Sequence, residues 1–136
     1  MRRSLASLAL VVLVACGDGS TTAPTNDSVA GTWSLQSING TGLPYIILQT
    51  GADKVEIVSD VVVAAASGSF TQTTTVRTTV SGQATTQSQG DGGTWSLNGT
   101  AVTFQFTGDG STGTGSISGN TMTVAESGFA FVYRKQ

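Results

Sequence analysis

The sequence predicts an all-β protein, either a small antiparallel up-and-down β-barrel of about eight or nine strands or a sandwich of two sheets. After residue 28 the chain is rich in Thr, Ser, Gly and Val and poor in Leu, which favours strands and turns over helices. Short runs there alternate apolar with polar side chains, the period of a half-buried strand. Turn sequences such as Asn39-Gly40 and Gly119-Asn120 separate these runs.

Residues 1–15 have the layout of a secretory signal. Arg2 and Arg3 give it a positive start, and an apolar stretch follows at residues 5–14. This stretch is too short to cross a bilayer, because a membrane-spanning helix needs about 20 residues. We therefore predict a cleaved N-terminal signal helix and export of the protein.

The motif Leu13-Val14-Ala15-Cys16 resembles the lipobox of bacterial lipoproteins. The resemblance implies that the signal is cut before Cys16, and that Cys16 carries a diacylglyceryl thioether and further acyl chains such as palmitate. Several acyl chains would anchor the protein stably in a membrane. Gly17 follows the cysteine, where Asp would favour the inner membrane of a Gram-negative cell, so the resemblance favours the outer membrane. The other interpretation is a buried thiol, since a single Cys cannot form a disulfide within the chain.

Residues 16–28 are predicted to be the lipidated Cys and a flexible linker. Residues 17–28 contain no apolar side chain larger than those of Ala and Pro, so they cannot pack a core. A flexible chain of this length has an end-to-end distance of about 20 Å. The folded β-domain is then predicted at residues 29–136.

The predicted strands follow the alternation of side chains along this domain. The first contains Trp33 and Leu35, and the others lie at residues 45–49, 54–66, 70–80, 94–97, 102–107, 114–118, 122–124 and 129–133. Residues 82–93, rich in Gln, Ser and Gly, are predicted to form a loop. In the long run at 54–66 we predict that one face holds Val55, Ile57, Val61, Val63 and Ala65. Val58 and Val62 lie opposite, so this strand is expected to be covered on both sides or to lie at an interface.

The inner wall of the barrel is predicted to line a cavity. The even positions of the Thr-rich strand 70–80 are apolar at Phe70 and Val76 but polar between them, and a polar group in a filled core needs a hydrogen-bond partner. Small-molecule pockets mix apolar and polar groups in this way. The predicted ligand-lining residues are Phe70, Gln72, Thr74, Val76, Thr78, Phe104, Phe106, Phe129, Phe131 and Tyr133. A short barrel filled by its own side chains would have no such cavity.

The segment Gly31-Thr32-Trp33 stands in the first predicted strand, where lipocalins carry Gly-x-Trp, and so resembles that family. The resemblance implies that Trp33, with Gly31 beside it, plugs the closed end of the barrel. It also implies that a basic residue of the last strand, here Arg134, lies over the indole ring as a cation–π partner. The chain departs from a typical lipocalin in being shorter and in lacking a C-terminal helix.

The pentapeptide Gly-Thr-Trp-Ser-Leu occurs twice. It occupies residues 31–35 and 93–97, and the two copies hold both Trp residues of the protein. We interpret the copies as two strands in similar environments, with a duplication as the alternative. The first copy, followed by Asn39-Gly40 and Leu43-Pro44, is also similar to the opening of small lipocalin-like lipoproteins of bacteria.

Several kinds of chemistry are excluded. The chain has no His and its one Cys is assigned to the anchor, which excludes Ser-His, Cys-His and His-based metal sites. Residues 108–113 match Gly-x-Gly-x-x-Gly, but a strand follows where a dinucleotide site needs a helix, and Asp109 would repel phosphate, so we predict a hairpin turn. Asp53, Glu56 and Asp60 are expected on a solvated strand face. No catalytic site, metal or cofactor is predicted.

The charge of the exported chain excludes nucleic acid as a partner. Without Arg2 and Arg3 it has four basic residues against eight acidic ones, so there is no basic patch to neutralise phosphates. We predict a non-enzymatic function: a lipid-anchored envelope lipoprotein, held in the membrane through Cys16, whose domain binds a small apolar ligand or an envelope protein. The alternative is a non-catalytic structural or protein-interaction module of the envelope with a filled barrel.

Overall fold

The computed structural model of the protein describes residues 29–136, which form ten β-strands and no helix. The strands are β1 (Gly31–Ile38), β2 (Thr41–Gly42), β3 (Tyr45–Thr50), β4 (Asp53–Ala64), β5 (Ser69–Val80), β6 (Gln83–Asn98), β7 (Ala101–Phe106), β8 (Thr112–Ser118), β9 (Thr121–Glu126) and β10 (Phe129–Lys135). The predicted signal helix, the linker and Cys16 lie outside the described residues. Within residues 29–136 there is no helix long and apolar enough to cross a membrane.

Eight of these strands close into a barrel. β1 pairs with β10 on one side and with β4 on the other, and β4 to β10 pair in the order of the sequence. Every pairing is antiparallel. The predicted up-and-down barrel is therefore confirmed, and the alternative of a sandwich is wrong.

The barrel has a closed end and a mouth. At the closed end, residues 31–34 of β1 pair with residues 61–64 of β4. The β4–β5, β6–β7 and β8–β9 turns also lie at this end, because successive strands alternate in direction. Towards the mouth, β1 separates from β4, and β2 and β3 pair with the edges that become free.

Three strands extend past the mouth. β4, β5 and β6 have 12, 12 and 16 residues, whereas β7 to β10 have six or seven. Together with β3, residues 53–57, 76–80 and 83–87 form a four-stranded sheet that we call the extension. The predicted loop at residues 82–93 is wrong, because β6 pairs with β5 along residues 83–94. Residues 83–91 are all exposed, so they carry no apolar alternation that would indicate a strand.

The single face predicted for β4 is wrong, because the odd-numbered residues before and after the middle of the strand lie on opposite faces. The pairing with β5 shifts register between Ile57 and Ser59. A bulge of this kind adds one residue, and the side chains on its two sides therefore exchange faces. As a result, Ile57 before the bulge and Val62 after it both face inward, whereas Val63 is 46% exposed on the outside.

The interior of the barrel is filled. Phe70 lies at its centre, with its ring edge-to-face to Phe104 and Phe106 at centroid distances of 5.0 and 5.1 Å. The space left among the core side chains is about 20 Å³, room for a single water molecule. The buried apolar residues are Val29, Trp33, Leu35, Ile38, Val62, Ala64, Phe70, Trp95, Val102, Phe104, Phe106, Ile117, Met122, Val124 and Tyr133.

Candidate functional site

Both tryptophans are buried at the closed end. Trp33 is fully buried, and its Nε1–H donates a 2.7 Å hydrogen bond to the carbonyl of Val29. The Nε1–H of Trp95 donates to the carbonyls of Ala65 and Ser69 at 3.0 and 3.1 Å, on either side of the β4–β5 turn. Each indole has apolar burial for its ring and an acceptor for its N–H. The two copies of the repeated pentapeptide therefore occupy similar environments.

The basic side chain over Trp33 is that of Lys135, whose Nζ lies 5.3 Å from the ring centroid. The prediction of Arg134 in this role is wrong. Lys135 is the cross-strand partner of Trp33 and shares its face, whereas Arg134 is paired with Ser34 and is exposed. Gly31 makes room for the lysine, because its φ is +133° and a Cβ there would lie 2.7 Å from Lys135 Cε.

A buried carboxylate lies inside the barrel. Asp60 is 5% exposed, and its Oδ2 accepts hydrogen bonds from Gln72 Nε2 at 2.7 Å and Thr74 Oγ1 at 2.6 Å. Its Oδ1 accepts a longer bond, 3.4 Å, from the Tyr133 hydroxyl. The expected solvated position of Asp60 is wrong, because the bulge in β4 turns this residue inward.

Burial governs the ionisation of this cluster. It raises the pKa of Asp60 above the ordinary value, and the hydrogen bonds from Thr74 and Gln72 oppose that rise. Burial, together with the nearby charge of Asp60, also raises the pKa of Tyr133. Gln72 and Thr74, predicted to face a ligand, therefore solvate a carboxylate. The polar residues in the middle of β5 are therefore explained by Asp60 on the neighbouring strand β4.

Glu56 lies between two cations on the face of β4 opposite Ile57 and is only 3% exposed, so its predicted solvated position is also wrong. Its carboxylate oxygens are 2.9 Å from Lys54 Nζ and 2.9 Å from Arg77 Nη2. The hydrogen bond from Lys54, with a second from Arg77, lowers the pKa of Glu56. Glu56 is thus held ionised in a pair of salt bridges. Across residues 29–136 no three acidic side chains are grouped so that they could hold a metal ion.

An apolar pocket of about 210 Å³ opens at the mouth, where β1 and β4 separate, and we call it the mouth pocket. Four strands contribute its six lining residues, which are Ile38, Tyr45, Ile47, Ile57, Phe129 and Phe131. Tyr45 supplies the only hydroxyl group among these side chains. The arrangement can take up an apolar group but offers no charged group to a ligand.

Only two of the predicted ligand-lining residues, Phe129 and Phe131, line the mouth pocket. The others lie elsewhere: Phe70, Phe104, Phe106 and Tyr133 in the packed core, Val76 opposite Ile57 on β5, and Thr78 in a shallow groove on the extension. Sequence reasoning missed Ile38, Tyr45, Ile47 and Ile57. The available signal was the unbroken apolar run at residues 45–48, which does not alternate as a half-buried strand should.

Large apolar side chains are exposed on β3, at the mouth pocket and at the tip of the extension. The exposed fractions of Ile46, Ile47 and Leu48 are 45, 52 and 61%, and those of Val80 and Phe129 are 54 and 40%. Single exposed hydrophobic residues are ordinary on protein surfaces, but a cluster of them marks an interaction site. The exposed apolar surface of this domain is thus concentrated at the end opposite the tryptophans.

The fold and the pocket together define a class of protein. A closed barrel of eight antiparallel strands, with a buried tryptophan at one end and an apolar pocket at the other, is suited to ligand binding or to a structural role. The family model described as a lipocalin-like domain matches residues 29–124, more than half of the chain. The protein therefore belongs to the lipocalin-like domain family. No curated protein sequence matches the chain.

Proposed function

We propose that the protein is a non-catalytic binding module that holds one small apolar group in the mouth pocket. The observation that carries the proposal is the pocket itself, which is apolar, open to solvent and bounded by β3 and three strands of the closed barrel. Such pre-formed apolar pockets are the usual sites for small ligands. The two buried carboxylates of β4 support a non-catalytic role, because Asp60 and Glu56 are both engaged by protein donors.

The volume of the mouth pocket limits the size of its ligand. Pockets for drug-sized molecules measure about 300–1,000 Å³, whereas this one measures about 210 Å³. A single aromatic ring or a short stretch of an acyl chain is therefore the group that fits. A larger ligand would have to leave most of its surface outside the barrel, against the exposed residues of β3.

The filled interior favours a second candidate, a structural or protein-interaction module of the envelope. With about 20 Å³ free inside the barrel, no ligand can bind there as it would in a hollow barrel. In this case the exposed apolar residues at the mouth would contact a protein. Binding of a small apolar probe distinguishes the two candidates.

The motif Leu13-Val14-Ala15-Cys16 supports an anchor for this module. We propose that Cys16 is acylated and that the protein is exported and held in a membrane, the outer one in a Gram-negative cell. Val29 lies at the closed end of the barrel, bonded to Trp33. A linker of about 20 Å would then attach the closed end to the membrane and turn the mouth pocket away from it.

A neutral fluorescent probe, N-phenyl-1-naphthylamine, is expected to bind the chain without its signal and lipidated Cys (residues 17–136) saturably. Ile47→Ser should weaken this binding about fivefold to tenfold, because it removes part of the apolar surface that a ligand buries. Ile47 is 52% exposed, so the substitution should leave the fold intact. Titration by fluorescence measures the affinity, and the melting temperature checks the fold.

Val63→Ser is the matched control for this titration. Val63 is 46% exposed but lies on the outside of β4, away from the mouth pocket. Its variant should bind the probe as the wild type does. Absence of binding to the wild type, or equal weakening by both substitutions, would contradict the mouth pocket and favour the protein-interaction module.

Cys16→Ser is expected to abolish acylation of the full chain. Cys16 is the only Cys, so no other thiol can take the diacylglyceryl group. Metabolic labelling with an alkyne analogue of palmitate, followed by gel fluorescence, measures the modification. Label should be present in the wild type and in Ser20→Ala, a control in the same segment. Label retained by Cys16→Ser would exclude this anchor.

A further inference from the structure

β3 is a strand with one free edge. It pairs with β4 along Tyr45–Thr50, and no strand of the described residues pairs with its other side. Each strand of the closed barrel, by contrast, has a neighbour on both sides. The outward N–H and C=O groups of β3 therefore form a row that can pair with another extended chain.

The free edge of β3 is apolar and uncharged. Its sequence is Tyr-Ile-Ile-Leu-Gln-Thr, and Ile46, Ile47 and Leu48 are 45 to 61% exposed. Proteins ordinarily protect exposed edges with Lys, Pro, inward-pointing charges, β-bulges or a covering segment. The pairing of β3 with β4 shifts register between Ile46 and Leu48, but β3 contains no Lys, Pro or charged residue, and no described segment covers its edge. Apart from this one bulge, the edge is therefore open to pairing.

The opposite edge of the extension is built differently. Residues 83–91 of β6 also lack a second strand among the described residues, because β7 pairs with β6 only from Gly93 onward. Their exposed side chains are mostly Gln, Thr and Ser, and the segment ends at Asp91. Both edges of the extension have free main-chain N–H and C=O groups, but only the β3 edge also has large exposed apolar side chains.

We propose that β3 pairs with the β3 of a second copy of this chain, antiparallel and about a two-fold axis. The two extensions would then form one continuous sheet. Since each β3 has a single free edge, the pairing closes after two copies, as an isologous contact does. The proposal depends on neither the membrane anchor nor the ligand of the mouth pocket.

Charge is the reason to assign a second copy to this edge. An acidic or basic peptide would find no opposite charge on β3. A second β3 places no like charges opposite each other, which would destabilise a strand pair. It also brings the same three exposed apolar side chains, so that each copy covers the edge of the other.

Cysteine crosslinking of the full chain in its own membrane tests this pairing. Leu48 and Ile47 are the central residues of β3, so in an antiparallel self-pairing each lies beside the two-fold axis. A short bis-maleimide should therefore join Ile47→Cys or Leu48→Cys into dimers. The wild type, which has only Cys16, gives the background, and Val63→Cys on the outside of β4 should stay at that background.

Introducing a charged residue on the free edge of β3 gives a second test of the pairing. Adding Leu48→Lys to Ile47→Cys should reduce the crosslinked dimer by more than about tenfold, because two leucines lose their burial and two ammonium groups repel each other. Adding Val63→Lys should leave the dimer unchanged. Leu48 is 61% exposed, so the variant should fold, and Ile46→Lys gives the same test on the same strand.

Three outcomes would overturn the proposal. The first is the absence of dimers from both Ile47→Cys and Leu48→Cys in protein whose melting temperature shows that it is folded. The second is dimer formation that survives both Leu48→Lys and Ile46→Lys. The third is a ladder of larger crosslinked species, which would indicate that β3 pairs with the β6 edge of a neighbour in an open-ended array.

Discussion

Trp33→Ala is expected to lower the free energy of unfolding by about 3–5 kcal/mol, the usual range for truncating a buried aromatic side chain. Trp33 is fully buried, and the truncation also removes the indole donor from the Val29 carbonyl. Because small domains are stable by only about 5–15 kcal/mol, this variant should be close to unfolding. Urea denaturation followed by circular dichroism measures the change without relying on the lost fluorophore.

Trp33→Phe is the matched control for this measurement. A phenyl ring keeps much of the apolar contact at the closed end but cannot donate to Val29, so we expect a smaller loss of about 1–3 kcal/mol. If Trp33→Ala unfolds at the same urea concentration as the wild type, Trp33 does not plug the barrel. The closed end would then be held by the pairing of β1 with β4 alone.

The barrel itself could be predicted because the patterns that build it are local. Asn39-Gly40 forms a tight turn with positive φ at both residues, 49° and 79°, as its sequence predicts. In β9 the buried Met122 and Val124 alternate with exposed threonines, as in a strand with one solvated face. When tight turns join successive strands of this kind, each strand pairs with its neighbour. The closure into a barrel depends in addition on the long-range pairing of β1 with β4 and β10.

β4 shows where such patterns fail. Its first and second halves each contain apolar residues on both faces, so no period in the sequence reveals the bulge between Ile57 and Ser59. The bulge decides that Asp60 faces the interior, opposite Thr74 and next to the amide of Gln72. A lone acidic residue in a strand is ordinarily at the surface. Its true position depends on the register with β5, which is not encoded in β4 alone.

The residue over Trp33 could have been found from the sequence. In the last strand the predicted inward residues are Phe129, Phe131 and Tyr133, and the same alternation continues to Lys135. The lipocalin resemblance led to Arg134, which does not share the odd-numbered positions of the inward residues. The structure follows the parity, with Lys135 opposite Trp33 and Arg134 opposite Ser34 on the outside.

The mouth pocket could not be predicted from local patterns. It exists because β1 leaves β4 near the mouth and β3 returns along the edge of β4 that becomes free. Its walls bring Ile38, Ile57 and Phe129 together from distant parts of the chain. Only the pairing of whole strands sets their positions, so the apolar run at residues 45–48 indicated an unusual strand without indicating what it faces.

Phe70→Ala is expected to cost about 3–5 kcal/mol, because it leaves a cavity in a core that cannot collapse to fill it. Phe70 is 3% exposed and contacts Phe104 and Phe106 edge-to-face. The strands around it cannot move inward easily, since each is hydrogen-bonded to two neighbours. Phe129→Ala is the control: Phe129 is 40% exposed at the mouth, and its truncation should cost about 1–2 kcal/mol. Urea denaturation measures both variants.

Phe70→Ala also tests whether the wild-type interior is filled. With about 20 Å³ free, the wild-type core has no room for an aromatic ring, whereas an engineered apolar cavity of about 150 Å³ in another protein binds benzene. Benzene bound in the new cavity stabilises the native state by mass action. It should therefore raise the free energy of unfolding of Phe70→Ala more than that of the wild type, while any binding in the mouth pocket contributes equally to both. Equal stabilisation of the two proteins would contradict this expectation, because it would show that the truncation opens no new benzene site inside the barrel.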